Sequence, residues 1–346
     1  MAKTIKRIVP FEEVITALLD NEHPFPPVFL HRFSDIPEAD LAKVKSVWNQ
    51  VAAERKTTLF EDLEMLADSD TLLSMETIAR FGLNDSEAHV REISARLLWE
   101  TGDTRLIPQF IDMMKNDPAE VVRASATTSL GLFIYLGELE EINAEAAKAV
   151  ETALFEVYES SDTELVRRRT LEALSFSSHE KVQKMIRQAY NSNDREWVAS
   201  AVFAMGRSSN EKWIPSVLEM LDHDDDRIQF EAVRAAGELS AKKAREPLLT
   251  MLENGVDDDE LRMAVVWSLS QIGGEDVRET LENMLEECED DEEAGVIEEA
   301  IDNLFLTEGM DNLDMFDFGV EDEDHLDNVV NLEQEDDQDD DPDSER

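Results

Sequence analysis

Through the middle of the chain, apolar and small residues recur every three to four positions, the spacing of a helix that buries one face. The run Ile228, Ala232, Val233, Ala235, Ala236, Leu239 is representative. Glycine or serine is expected to close each such helix, as at Gly102, Gly206 and Gly273. A second amphipathic helix follows, often with proline in its first turn, as at Pro108, Pro215 and Pro247. The two-helix pattern then starts again. Units open at Asp85, Asp117, Asp162, Asp194, Asp225 and Asp258, with equivalent apolar positions at Val90, Val122, Val166, Val198, Ile228 and Leu261. One interval is long because "FIYLGELEEINAEA" is inserted. Each helix pair is too thin to bury its own apolar face, so neighbours must stack into one continuous core.

The Asp…Val-Arg…Ala…Leu-Gly runs at 85–102, 117–131 and 258–273 resemble the HEAT-repeat family, especially the short bacterial form that includes phycobilin-lyase-type repeats. The resemblance covers roughly 85–285 and implies an all-α fold, a right-handed α-solenoid of HEAT-like helix pairs. It also implies a hydrogen-bonded ladder between neighbouring repeats, made by an aspartate and an arginine six positions later. Asp85 with Arg91 and Asp117 with Arg123 have that spacing, and Arg167 and Arg262 match in position with looser acidic partners. Ala199 and Gln229 depart from it, so the ladder should weaken across the fourth and fifth repeats.

The ends differ from the array. Residues 1–84 are read as a helical cap, because a solenoid needs an atypical first unit over its open face. Asp35 is a plausible N-cap there, and Phe25, Phe29 and Phe33 of the proline-rich connector are expected to pack down rather than bind a peptide. Residues 85–304 form the solenoid. Residues 305–346, with 18 Asp and Glu against one Arg, are read as a disordered acidic tail. That tail is either solubilising or a docking motif carried by Leu313, Met315, Phe316 and Phe318.

Charge narrows the partners. The net charge is −49, and the tail accounts for −17, leaving −32 on the remainder. Such a surface repels nucleic acids and anionic membranes and favours basic or neutral proteins. The one basic stretch is 165–190, with Arg167, Arg168, Arg169, Lys181, Lys184 and Arg187 against Glu172 and Glu180. It is a candidate partner-binding patch, and also a target for the tail itself. Helices spaced about 8–10 Å apart put the array's end roughly 40 Å from the third repeat, within reach of a charged tail.

Catalytic and metal motifs are not evident. There is no Gly-rich phosphate loop, HExxH or paired CxxC, and Cys288 is the lone cysteine, which suits a reducing cytoplasm. Deoxyhypusine hydroxylases of this repeat class bind two irons through several His-Glu pairs, whereas only His179-Glu180 occurs here. "DHDDDR" (222–227) fails the EF-hand pattern and reads as helix capping. Trp99 and Trp267 are expected to fill the core, and Trp197 and Trp213 to be partly exposed. The expectation is a cytoplasmic, non-catalytic, cofactor-free scaffold that presents an acidic surface to a protein partner through side chains of its second helices, including Gln109 and Asp112. Two alternatives stand beside it: a phycobilin-lyase-like or other cofactor-handling protein, and an acidic nucleic-acid mimic that binds a basic protein.

Overall fold

Four helices precede the array: α1 (Phe11–Leu19), α2 (Glu38–Val47), α3 (Ala53–Ser69) and α4 (Glu76–Gly82). The structure, a computed structural model, describes residues 10–314. The connector Pro27–Phe33 winds into a 3-10 helix, as its prolines favour, and buries Phe33. Phe25 is buried beside Phe29, and Phe11 and Phe33 meet edge to face at 6.3 Å. The connector's phenylalanines thus turn inward. Asp35 does not cap α2. Pro37 occupies that position, while Asp35 takes a φ of 45° and donates its N–H to the carbonyl of Ser74.

Six first helices follow, each paired with a second: α5 (Ala88–Arg96) with α6 (Ile107–Asn116), α7 (Glu120–Glu138) with α8 (Ala144–Tyr158), α9 (Glu164–Leu174) with α10 (Glu180–Tyr190), α11 (Arg195–Arg207) with α12 (Ile214–Met220), α13 (Asp226–Glu238) with α14 (Arg245–Asn254), and α15 (Asp259–Ile272) with α16 (Glu275–Glu287). A last helix, α17 (Asp291–Asp314), extends past residue 304. Residues 315–346 lie outside the described residues, and with them Met315, Phe316 and Phe318.

The first helices form one row, each packed on the next from α5 to α17, and the second helices lie along one side of it. Two apolar cores result. The cap's core is aromatic and reaches Val90 and Ile93 of α5, while the array's core, rich in alanine, valine and leucine, runs from Ala79 to Leu304. The cap is therefore keyed into the first repeat rather than set beside it.

The helix starts fix the register of the repeats. N-caps fall at Glu87, Ala119, Thr163, Asp194, Asp225 and Asp258. Four residues on stand Arg91, Arg123, Arg167, Val198, Gln229 and Arg262, each donating its amide to the N-cap carbonyl. The fourth repeat is thus shifted by one from its sequence alignment. Trp197, not Val198, is the counterpart of Val90, and Val198, not Ala199, takes the ladder position.

Twelve residues beyond the N-caps, five of the six repeats carry a small residue: Gly131, Ser175, Gly206, Gly237 and Ser270. Neither Gly131 nor Gly206 breaks its helix. They let the next first helix close in: a Cβ on Gly131 would stand 3.2 Å from the Ala173 Cα, and one on Gly206 would stand 2.8 Å from the Ala235 Cα. Gly273 does terminate α15, at a φ of 68°. The insertion in the second repeat lengthens α7 through Gly131 to Glu138.

Candidate functional site

Arg91 and Arg123 each use the whole guanidinium fork. Arg91 donates Nε and Nη2 to the two carboxylate oxygens of Asp117, at 2.7 and 2.8 Å, and Nη1 to the carbonyls of Asp85 and Ser86. Arg123 repeats this with Asp162, at 3.0 and 2.7 Å, and with the Asp117 carbonyl. Burial works to raise the Asp117 carboxyl, but Arg91 and the Ala119 amide hold it below the usual carboxylate range. Each arginine therefore ties its own entry loop to that of the next repeat. Asp85 is reached from the cap: the Trp48 indole and the buried Lys56 ammonium both donate to it.

Beyond the second repeat the rungs change. Arg167 turns to the Tyr158 carbonyl and to Glu164, and lies against the Tyr158 and Trp197 rings. At Val198 no rung is chemically available. Arg195 reaches Asp225 instead, at 3.2 Å. The Gln229 side chain bonds the Leu221 carbonyl of its own loop. Arg262 restores a bidentate rung, to Glu293 of α17.

The basic residues of 165–190 are distributed over both layers. Arg168 is buried on α9 and faces Glu196 at 2.7 Å, so it is not an open docking cation. Arg169 pairs with Glu172. Lys181 pairs with Glu159 over the Phe155 ring, Lys184 with Glu180, and Arg187 lies over Trp213. Helical spacing already pairs Arg169 with Glu172 and Lys184 with Glu180, but the partners of Arg168, Lys181 and Arg187 lie too far along the chain for spacing to reveal.

The first-helix row presents its own outer face. Nine residues after each N-cap stand Arg96, Thr128, Glu172, Phe203, Arg234 and Trp267. Two grooves open on this face, one of about 760 Å³ between α3, α5 and α7, and one of about 410 Å³ between α15 and α17. Their lips carry Trp99, 55% exposed, and Trp267, 38% exposed. Tyr135, 44% exposed, stands two turns along α7 from Thr128 on the same face. Trp99 and Trp267 are therefore surface residues, and Trp213, expected to be partly exposed, is buried at 4%. The register carries the signal that would have found them. Trp99 stands where later repeats need glycine or serine, and Trp267 where most other repeats place polar or charged residues.

Between these aromatics the face is charged. Glu172 accepts from Ser200 at 2.6 Å, and Glu238 faces Arg207 at 3.2 Å. Burial pushes the Glu231 carboxyl up to about 7, with Glu172 and Glu238 adding to the rise and Arg234 and Arg227 opposing it. Among the described residues, no group of three or more His, Cys, Asp or Glu is placed to hold a metal ion, and no helix is long and apolar enough to cross a membrane.

Comparison with known proteins bears on the fold. No curated protein matches this chain. Among solved structures, it is similar to Escherichia coli YibA, with 16% identity, 83% of this chain and 98% of that one covered, and a TM-score of 0.41. It is also similar to the CpcE–CpcF complex of phycocyanin lyase from Nostoc, with 18% identity, 66% and 94% covered, and a TM-score of 0.43. Human deoxyhypusine hydroxylase gives 14% identity, 86% and 96% covered, and a TM-score of 0.34. The sequence profile of HEAT repeats matches residues 189–259 and 214–302. With paired helices stacked in a single row and that profile matched over residues 189–302 of it, this chain is an α-solenoid that carries HEAT repeats.

Proposed function

We propose that this protein is a non-catalytic scaffold that docks a basic or neutral protein along its first-helix row. One observation carries the reading: Trp99, Tyr135 and Trp267 are held exposed on one face, in the first, second and sixth repeats. Large aromatics left in water are costly, and at interfaces they become the anchors that dominate affinity. Around them lies a surface of extreme negative charge, which speeds encounter with basic proteins and disfavours anionic ones. The lone cysteine suits a reducing compartment, and we place the protein in the cytoplasm.

The test is capture from the native cell with the full chain and with the W99A/Y135A/W267A variant. A specific partner should be retained by the first and lost by the second, with each single substitution weakening the purified complex by about tenfold. Identical capture by both chains would refute the reading.

A further inference from the structure

We infer that the groove between α3, α5 and α7 receives an arginine side chain from an extended segment of the partner, stacked on Trp99 and clasped by Asp68 and Glu100. The inference rests on the scaffold reading and makes it specific. The groove already holds one arginine of this chain. Arg96 donates to both oxygens of Glu64, at 2.7 and 2.8 Å, and to Glu92. Four residues further along each of the two segments stand Asp68 and Glu100, and both line the same groove. This second pair is two carboxylates where the first is a carboxylate and a guanidinium. Neither is engaged in an ion pair among the described residues, and both are exposed. Two like charges facing one cleft disfavour each other, and a cation placed between them reverses the sign.

Trp99 decides what kind of cation. Its ring is more than half exposed at the lip, at the one repeat where the twelfth position is not small. A guanidinium can lie flat on an indole face while its edge N–H groups reach carboxylates, whereas an ammonium serves one or the other. The groove's volume of about 760 Å³ exceeds the needs of one side chain. Leu73, Ala67 and Leu97, all partly buried along it, give flanking residues of the segment an apolar seat. That spare room and the apolar seat beside the carboxylates fit an arginine carried on a polypeptide rather than a free amino acid.

Binding to the full chain is measured with a short capped Arg-Gly repeat peptide and with its lysine and citrulline counterparts. The arginine peptide should bind most tightly, and the neutral citrulline peptide should not bind. W99A and the D68N/E100Q double variant should each weaken the arginine peptide by about tenfold, with unchanged thermal midpoints. W267A, at the far groove, should leave it untouched. Absence of binding, or equal binding by wild type, W99A and D68N/E100Q, overturns the groove assignment. Equal binding of the lysine peptide overturns the choice of arginine. The scaffold reading fails separately, when cellular capture ignores all three exposed aromatics together.

Discussion

The front and rear of the array join their repeats by different means. At the front, Asp85 and Asp117 stand two residues before the N-caps Glu87 and Ala119. There one oxygen of each closes a turn with an N-cap amide, and the carboxylate still faces the preceding unit's Lys56 or Arg91. At the rear, Asp194, Asp225 and Asp258 are themselves the N-caps and bond amides of their own helices. The two-residue difference leaves the front carboxylates facing the preceding unit, whereas of these three rear aspartates Asp225 both caps its own helix and meets Arg195 of the preceding repeat. Rear joints add close backbone approach, with Gly206 against Ala235 and Gly237 against Ser268, to fewer polar links, Arg195 to Asp225 and Arg262 to Glu293. Directional polar links suit the repeats next to the cap and the arginine groove, where geometry must be held. Small-residue contacts hold through packing and leave the polar face to Glu172, Glu231 and Glu238.

Four substitutions probe this contrast, from the largest expected effect to the smallest, with Gly295→Ala as a control beside the second. Arg123→Ala removes a partly buried bidentate rung and leaves Asp162 unmatched, for a loss of about 3 kcal/mol in denaturant unfolding. A loss no greater than that of an ordinary exposed pair would dissolve the distinction between the halves. Gly237→Val drives a Cβ to 2.8 Å from the Ser268 Cα and should cost about 2 kcal/mol. Gly295→Ala, where an added Cβ would meet nothing within 4 Å beyond its own stretch of helix, should be neutral or stabilising in the same assay.

Glu231→Gln tests the rear's buried charge. Its folded pKa of about 7 lies above the unfolded value of 4.5, so ionisation opposes folding. The wild type therefore gains stability as pH falls from 7 toward 4.5, and the variant should be the more stable above pH 7 by about 1 kcal/mol. The front carboxylates have the opposite sign. Asp117 and Asp162, held below the ordinary range, contribute stability above pH ~4 and lose it on further acidification. Urea midpoints across pH that show one common slope would contradict both assignments. Gln229→Arg rebuilds a rung at the rear, but Asp258 is already engaged at its own helix, so the gain should stay below about 0.5 kcal/mol.

Much of this was legible in the chain. Periodicity gave the helices, thinness of the pairs forced stacking, and the six-residue spacing of Asp85 to Arg91 and Asp117 to Arg123 marked the true rungs. Gln229, standing where the pattern has arginine, marked the loss of a rung in the fifth repeat. Misreadings came from one-residue register and from facing. Val198 and Trp197 exchange roles once the N-cap is known, and Arg168, charged and adjacent to two other arginines, is buried against Glu196.

By itself, then, the sequence determined the elements, their repetition and the acidic character of the surface, because these depend on local spacing and on composition. Only the tertiary structure decided that Lys56 of the cap completes the first rung, that Asp68 and Glu100 share a groove, and that Trp99 faces water. Each of these depends on which helix lies beside which, a relation between residues tens of positions apart that local periodicity does not encode.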